Sequence, residues 1–393
     1  MGDQLFFNGK GPRIAIVAGE ASGDLLGSAL IQSLLLRFPD AQFAGVAGHK
    51  MIAAGAHSIE PMETLAVGGI VEVVKHLPKL LKLRKRLVKA ILNEKPDLLI
   101  TIDAPDFNIG LAKRIKIAGI TTVHYVSPSI WAWRPERIKQ IRKAVSHILL
   151  ILPFEEQIYK KQKIAATYVG HPLADLMPVS VNQFQVREIL NVDSNDVVVA
   201  MLPGSRQREV MAMADIFIKT AIILSELHPK IVLLVPLITR ETRTIFENEI
   251  WRLNAQGLNW RLMFGHAHEA MTASDAILLA SGTAALEAML AKRPVVVAYK
   301  ISPFTYRMVK RKFLLPYVSL PNIISGKFIV PEFLQEEATP ENLSLALNNY
   351  LIDKVLSANL SDIFEHHHLS LQCNGAERAA DAVAKLLTKA NVC

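Results

Sequence analysis

Residues 13–18, Arg-Ile-Ala-Ile-Val-Ala, form a short apolar run that stops at Gly19, and a helical pattern follows at once. The same opening recurs in the second half, where Val-Val-Val-Ala-Met-Leu at 197–202 stops at Pro203-Gly204. A run that is apolar at every position and bounded by glycine is a strand buried on both faces. A parallel sheet with helices on each side provides that burial. Helical spacing follows over 25–38 and again over 209–227. Further strand-like runs lie at 42–46, 98–102, 121–126 and 148–152, then at 231–235, 262–264, 276–280 and 295–299. Alternating strand and helix predicts a doubly wound α/β domain, and the restart predicts two Rossmann-like domains facing across a cleft. Polar residues between Asp175 and Val186 mark the linker. The expected limits are 12–180 and 186–360, with a helical tail at 361–393 packing back on the first domain.

Composition supports this and removes several classes. With 393 residues and 51% hydrophobic content, the chain has material for two or three domains and is not intrinsically disordered. Its two cysteines, Cys373 and Cys393, cannot build a disulfide framework, and no Cys/His spacing suggests zinc. Residues 1–12 lack the apolar run of a secretory signal, and no stretch approaches the roughly 18 apolar residues needed to span a bilayer. The expectation is a cytoplasmic protein that is not integral to a membrane. A net charge of +8 is compatible with nucleic acid, anionic lipid or phosphorylated ligands, and selects none of them.

In open α/β sheets, ligands bind beyond the carboxyl ends of the strands, so the loops there carry the candidates. The turn GEASGD from Gly19 is not GxGxxG, and no GxxxxGK[ST] occurs, which disfavours a dinucleotide fold and a P-loop. Ser22 and Gly23 could offer N–H groups to an anion or a sugar hydroxyl. Equally, the turn could serve only itself, with Ser22 or Asp24 capping the helix. In ASGTAALE from Ala280, the stretch Ser281, Gly282, Thr283 and Ala284 joins a strand end to a helix start and suits a diphosphate. Glu287, one turn on, suits ribose hydroxyls; a plain cap and a surface glutamate are the alternatives. Ser205 and Arg206 follow the strand of the second half, where a guanidinium fits phosphate or is merely solvated.

Asp103 leaves the end of a buried strand, where a carboxylate is costly unless paired or used. It is a candidate general base, or else it forms an Asx-turn before Pro105. Asp106 is a second carboxylate in the same loop, and spacing does not choose between them. Trp131, Trp133 and Arg134 either wall a sugar or acyl site or pack in the core. His171 reads as structural. The run His366-His367-His368 reads as a solvated face rather than a metal site, and no metal or other cofactor is expected.

Between Lys75 and Lys95 there are eight basic residues and one acidic, nearly the whole excess charge of the chain. Lys75, Lys79, Lys82, Arg86 and Lys89 share one helical face, with apolar residues on the opposite spacing. Pro78 suggests two helices. Core packing suits 83–92. Contact with an anionic membrane suits the segment around 67–81, through Val71, Val73, Val74, Leu77, Leu80 and Leu81. Nucleic acid is disfavoured, because no interleaved aromatics or recognised motif accompany the charge.

Taken together, the motifs resemble those of the lipid-A-disaccharide synthases, inverting glycosyltransferases of the GT-B fold. The matching stretches are GEASGD, AVGGIVEVV from Ala66, IDAPDFN from Ile102, VSPSIWAWRPER from Val126, LPFE from Leu152 and VGHPLAD from Val169. They continue with LPGSRQRE from Leu202, ASGTAALE, LPN from Leu320 and VPEFLQ from Val330. The resemblance runs from about residue 13 to 389, with residues 1–11 as a short extension. One departure is the loop at 45–51, where the family has a richer glycine cluster.

The resemblance implies transfer of a sugar from UDP-2,3-diacylglucosamine to 2,3-diacylglucosamine 1-phosphate, giving a β-1,6-linked disaccharide 1-phosphate and UDP. It implies an acceptor domain at 12–180, with a membrane-contact segment at about 62–92, and a UDP-sugar domain at 186–360. Asp103 would be the base, Arg206 would stabilise the leaving charge, and Asn322 matches an active-site position. Ser22, Gly23, Ser205, Ser281, Gly282, Thr283, Ala284 and Glu287 would bind substrate, without metal. The implied setting is the cytoplasmic face of the inner membrane, on its phospholipid surface, with no nucleic-acid partner; monomer and homodimer both stay open. Alternatives are another GT-B enzyme of UDP-sugars, an epimerase or a peptidoglycan glycosyltransferase, and a basic membrane- or RNA-binding α/β protein.

Overall fold

The computed structural model describes residues 7–65, 70–280, 282–302, 306–307 and 311–390, with backbone alone described for 70–75 and 389–390. The chain divides into two units. One comprises the described residues through Asp175 together with those from Leu371 onward, and the other is Leu176–Ser370.

In the first unit the apolar run becomes β1 (Arg13–Ala18), buried from Ile14 onward. It is joined by β2 (Gln42–Ala47), β3 (Ala56–Pro61), β4 (Leu98–Ile102), β5 (Thr121–Tyr125), β6 (His147–Leu150) and β7 (Ala166–Tyr168). Their order is β3-β2-β1-β4-β5-β6-β7, and every pairing is parallel. The second unit contains β8 (Val198–Leu202), β9 (Val232–Leu237), β10 (Asn259–Phe264), β11 (Ala276–Ala280), β12 (Val295–Tyr299) and β13 (Glu332–Leu334). It repeats the plan as β10-β9-β8-β11-β12-β13, again all parallel.

Strand order therefore reverses beside β1 in one sheet and beside β8 in the other. At such a switch point the two neighbouring loops diverge and leave a crevice. Ala18 pairs with Ile102, so the loops after β1 and β4 emerge side by side. The strands that the sequence did not announce, β3, β7 and β13, lie at sheet edges and are half-exposed, so they lack the unbroken apolar run of a central strand.

Helices complete the first unit. The ones that position the site are α1 (Ala21–Arg37), α2 (His49–Ala53), α3 (Ile70–Glu94), α4 (Pro105–Ile117) and α5 (Ile138–Ala144). Glu20 stands at the N-cap of α1, so neither Ser22 nor Asp24 caps it. Asp24 is buried instead and accepts from the N–H groups of Lys50 and Met51, both at 3.0 Å. It thus anchors the divergent 45–51 loop.

Pro78 lies inside one continuous α3, so the expected division into two helices is not present. Proline removes a single N–H from the ladder. On an exposed face, water can satisfy the carbonyl left over.

The crossover sites also differ from expectation. The chain leaves the first unit after Asp175 rather than near 180. It returns at Leu371 rather than 361, because the helix Lys354–Leu371 belongs mostly to the second unit. Asp175 fixes the return. Its carboxylate accepts from the N–H groups of Cys373, Asn374 and Gly375 at 2.9, 3.0 and 2.6 Å, where the helix Gly375–Ala390 begins. That helix packs on α1 and adds Ala379, Ala380, Val383 and Leu387 to the first core.

Candidate functional site

At the switch point of the first sheet, β4 runs straight into two residues with left-handed backbone, Asp103 (φ +51°) and Ala104 (φ +42°). Neither is glycine, so both conformations are strained, at about 1–3 kcal/mol each. The loop is held by the N–H of Asp103 on the carbonyl of Tyr125, at 2.9 Å, and by Asn108. The buried Asn108 amide donates to the carbonyls of Ile102 and Asp103, at 3.1 and 2.8 Å. Gly19 is required opposite: a Cβ there would lie 2.5 Å from the Cβ of Ala104.

This close approach brings Ser22 to Asp103. The carboxylate accepts from the Ser22 hydroxyl and the Ala104 N–H, while burial raises its pKa above the ordinary aspartate value. A carboxylate so placed is more basic than a solvated one. Asp106, three residues on, is 81% exposed and pairs with Arg137. Gly23 is buried and seats α1 against Ala18 and Ile102.

The loop after β5 divides the two tryptophans. Trp131 is held from below: its Nε1 donates to Glu155 Oε1 at 2.9 Å, and its ring meets Phe154 edge-on. Trp133 faces solvent with the Arg134 guanidinium 4.3 Å from its ring centre. Burial holds His171 neutral, with its pKa pulled down to about 4.

In the second unit, the loops after β8 and β11 line a cavity of about 460 Å³ together with Pro236, Ile238 and Tyr299. It gathers Ser205, Arg206, Gly282, Thr283, Ala284 and Glu287. Ser281 lies outside the described residues. The Thr283 hydroxyl makes no cap bond, and the N–H groups of Gly282, Thr283 and Ala284 donate to no acceptor among the described residues. Glu287 lies in the cavity wall with its pKa raised by burial.

Arg206 is 78% exposed, with Glu209 at 3.5 Å. The N–H of Ser205 donates to Glu209 at 3.0 Å, and its hydroxyl donates to the same carboxylate oxygen at 3.4 Å. Sequence reasoning missed Tyr299, whose position as the last residue of a buried strand was the available signal.

Asn322 does not line this cavity. It is fully buried, donates to Val330 and Glu332 at 2.9 and 2.7 Å, and accepts from the N–H groups of Ile329 and Val330 at 2.7 and 3.0 Å. Every hydrogen-bonding site of its side-chain amide is thus engaged by neighbouring residues. It instead fixes the short helix Leu320–Ser325, which packs on the Glu287 helix Ala284–Leu290.

The histidine run is likewise not one solvated face. His368 is buried beside Lys292, and His367 bonds Ser325 at 2.8 Å. No group of three or more metal-ligating side chains occurs among the described residues.

The apolar face of α3 splits. Leu83, Leu87, Ala90 and Ile91 enter the core, whereas Leu77 and Leu81 are each 45% exposed. Leu80, expected at a membrane, packs partly against the core instead. The side chains of Val71, Val73 and Val74 lie outside the described residues. Among those described, no helix is long and apolar enough to cross a membrane.

Residues 14–384 match the family model described as lipid-A-disaccharide synthetase. The chain is 52% identical over 377 residues to the lipid-A-disaccharide synthase of Methylobacillus flagellatus, covering 96% of this chain and 100% of that protein. Among solved structures it is similar to a UDP-GlcNAc 2-epimerase from Neisseria meningitidis bound to UDP-GlcNAc. That match has a TM-score of 0.60 and 12% identity, covering 96% of this chain and 100% of that one. It is also similar to the calicheamicin glycosyltransferase CalG4, with a TM-score of 0.56 and 14% identity over 96% and 98% of the two chains.

Proposed function

From the premise that this chain belongs to the lipid-A-disaccharide synthase family, we propose how its two switch-point loops divide the transfer. The protein is a hexosyltransferase of lipid A biosynthesis with two Rossmann-like units. Its donor is UDP-2,3-diacylglucosamine and its acceptor 2,3-diacylglucosamine 1-phosphate. The first unit takes the acceptor. Asp103 accepts the proton of the 6-hydroxyl while that oxygen attacks the anomeric carbon of the donor and UDP departs. One displacement inverts the anomeric centre and leaves a β-1,6 linkage.

The observation that carries this reading is the Asp103 carboxylate: desolvated, oriented by Ser22, and set at the end of β4 on a strained turn. Strain of that kind persists only where the surroundings over-determine it, and it clusters at working sites.

The second unit takes the nucleotide. The free N–H groups at 282–284 and Arg206 meet the diphosphate, Glu287 meets the ribose, and Pro236 with Ile238 offer an apolar wall to the base. Preorganised donors of this type stabilise a leaving diphosphate without a metal ion. Asn322 enters as a positioning residue for the Glu287 helix. Docking on an anionic bilayer through the exposed leucines of α3 delivers acylated substrates to the first unit.

The test is mass spectrometry of the full chain incubated with both substrates in detergent, with and without EDTA. The expected outcome is disaccharide 1-phosphate in both samples. UDP release without disaccharide would retain the donor site and overturn the acceptor assignment, and loss of product in EDTA would overturn metal independence.

A further inference from the structure

The first unit has a concavity, of about 370 Å³, that the transfer described above does not use. It lies among α3, α4 and α5. Five cationic side chains line it, Arg84, Lys113, Arg137, Lys139 and Lys143, against the single carboxylate of Asp106, which is paired with Arg137. Gathering like charges around a pocket is unfavourable unless an anion is bound there.

Arg84 makes the arrangement specific. It forms no ion pair among the described residues, is partly buried, and has its pKa lowered by desolvation and by the nearby charge of Arg114. Its guanidinium lies over the Phe107 ring, 5.9 Å from the centre. It also fills the space above Gly110, where a Cβ would lie 2.4 Å from Nη1. A bare glycine on α4 thus admits a planar, desolvated fork at the wall of a cationic pocket. Such a fork suits phosphate, whose oxygens it can meet in pairs.

The same pocket includes Pro105 and Asp106, in the first turn of α4, which Ala104 alone separates from Asp103. The acceptor carries its phosphate monoester at the anomeric carbon, which the ring oxygen joins to C5, the carbon that bears the 6-hydroxyl arm. We propose that this pocket is the subsite for the acceptor's anomeric phosphate, holding that end of the ring so that the 6-hydroxyl reaches Asp103. The proposal rests on the acceptor assignment above. A phosphomonoester near neutrality is largely dianionic, so it matches the charge excess, and the remaining lysines supply long-range attraction.

The test compares the full chain with Arg84→Ala and with the double variant Lys113→Ala, Lys139→Ala, whose side chains are exposed and leave the core untouched. Each is assayed with diacylglucosamine 1-phosphate and with diacylglucosamine lacking the phosphate. The wild type is expected to prefer the phosphorylated acceptor. Each variant should raise KM for it roughly tenfold or more, the usual range for a hydrogen bond to a charged group, while KM for the donor holds. On the unphosphorylated acceptor, variants and wild type should be equal.

Equal losses on both acceptors would overturn the subsite. So would variants that keep the phosphate preference and lose only binding to phosphatidylglycerol vesicles, since the cations would then serve a lipid headgroup surface. No transfer by the wild type to either acceptor is a separate outcome: it defeats the underlying acceptor assignment, and the subsite with it.

Discussion

At the residue scale, burial decides which polar groups do chemistry and which hold the loops. Asp103 and Glu155 are both desolvated carboxyls, but their partners differ. Asp103 is only partly buried and faces its loop. Glu155 is 1% exposed and is spent on Trp131 Nε1 and the Leu152 N–H, at 2.9 and 3.2 Å. Burial pushes the Glu155 pKa from 4.5 up to about 7. The folded chain therefore holds this proton at pH values where the unfolded chain has released it. Its contribution to stability is complete below about pH 4.5 and is lost as pH rises through about 7. The urea midpoint of the wild type should fall between pH 5 and pH 8, and Glu155→Gln should flatten that fall. Parallel curves for the two proteins would show that Glu155 does not titrate in this window.

The sequence marked Asp103 through its place after an apolar run, but it could not choose between Asp103 and Asp106. Only the fold shows one carboxylate partly buried beside Ser22 and the other in solvent, held by Arg137. Asn322 follows the same logic, because a motif records that a residue matters and not whether it touches a ligand or braces the helix that does.

At the element scale, the central strands were legible and the edges were not. β1, β4, β11 and β12 read as unbroken apolar runs, whereas β3, β7 and β13 mix polar and apolar residues because one side of each lacks a neighbour. Helix α3 shows what periodicity gives and withholds. Its spacing separates a charged face from an apolar one, yet only the packing divides that apolar face into Leu83 and Leu87, which enter the core, and Leu77 and Leu81, which do not.

The two pairs should therefore respond differently to serine. Leu77→Ser with Leu81→Ser should weaken binding to anionic vesicles and leave the melting temperature within a few degrees of wild type. Leu87→Ser should destabilise by about 3 kcal/mol or more, through a lost apolar contact and a buried hydroxyl. If the exposed pair also unfolds the protein, α3 is a structural helix throughout, and docking must be sought elsewhere.

At the scale of the whole molecule, both units place their working loops by one rule. Strand order reverses beside the first strand of each sheet, and the loops on either side carry the unusual residues. The repeated strand–turn–helix opening made that organisation visible in the sequence. The crossovers were less so, because the tie that returns the chain is three N–H groups on the Asp175 carboxylate, separated from it by about 200 positions. No local pattern announces such a contact.

The central claim is that Asp103 takes the acceptor proton while the nucleotide is held independently in the second unit. Its most direct test is the turnover of Asp103→Asn, which preserves size but removes the base, measured beside calorimetric binding of UDP. The account predicts a fall in kcat of about 10²–10⁴ with UDP affinity unchanged. Turnover of Asp103→Asn at the wild-type rate, or the same collapse from Asp106→Asn instead, would contradict it.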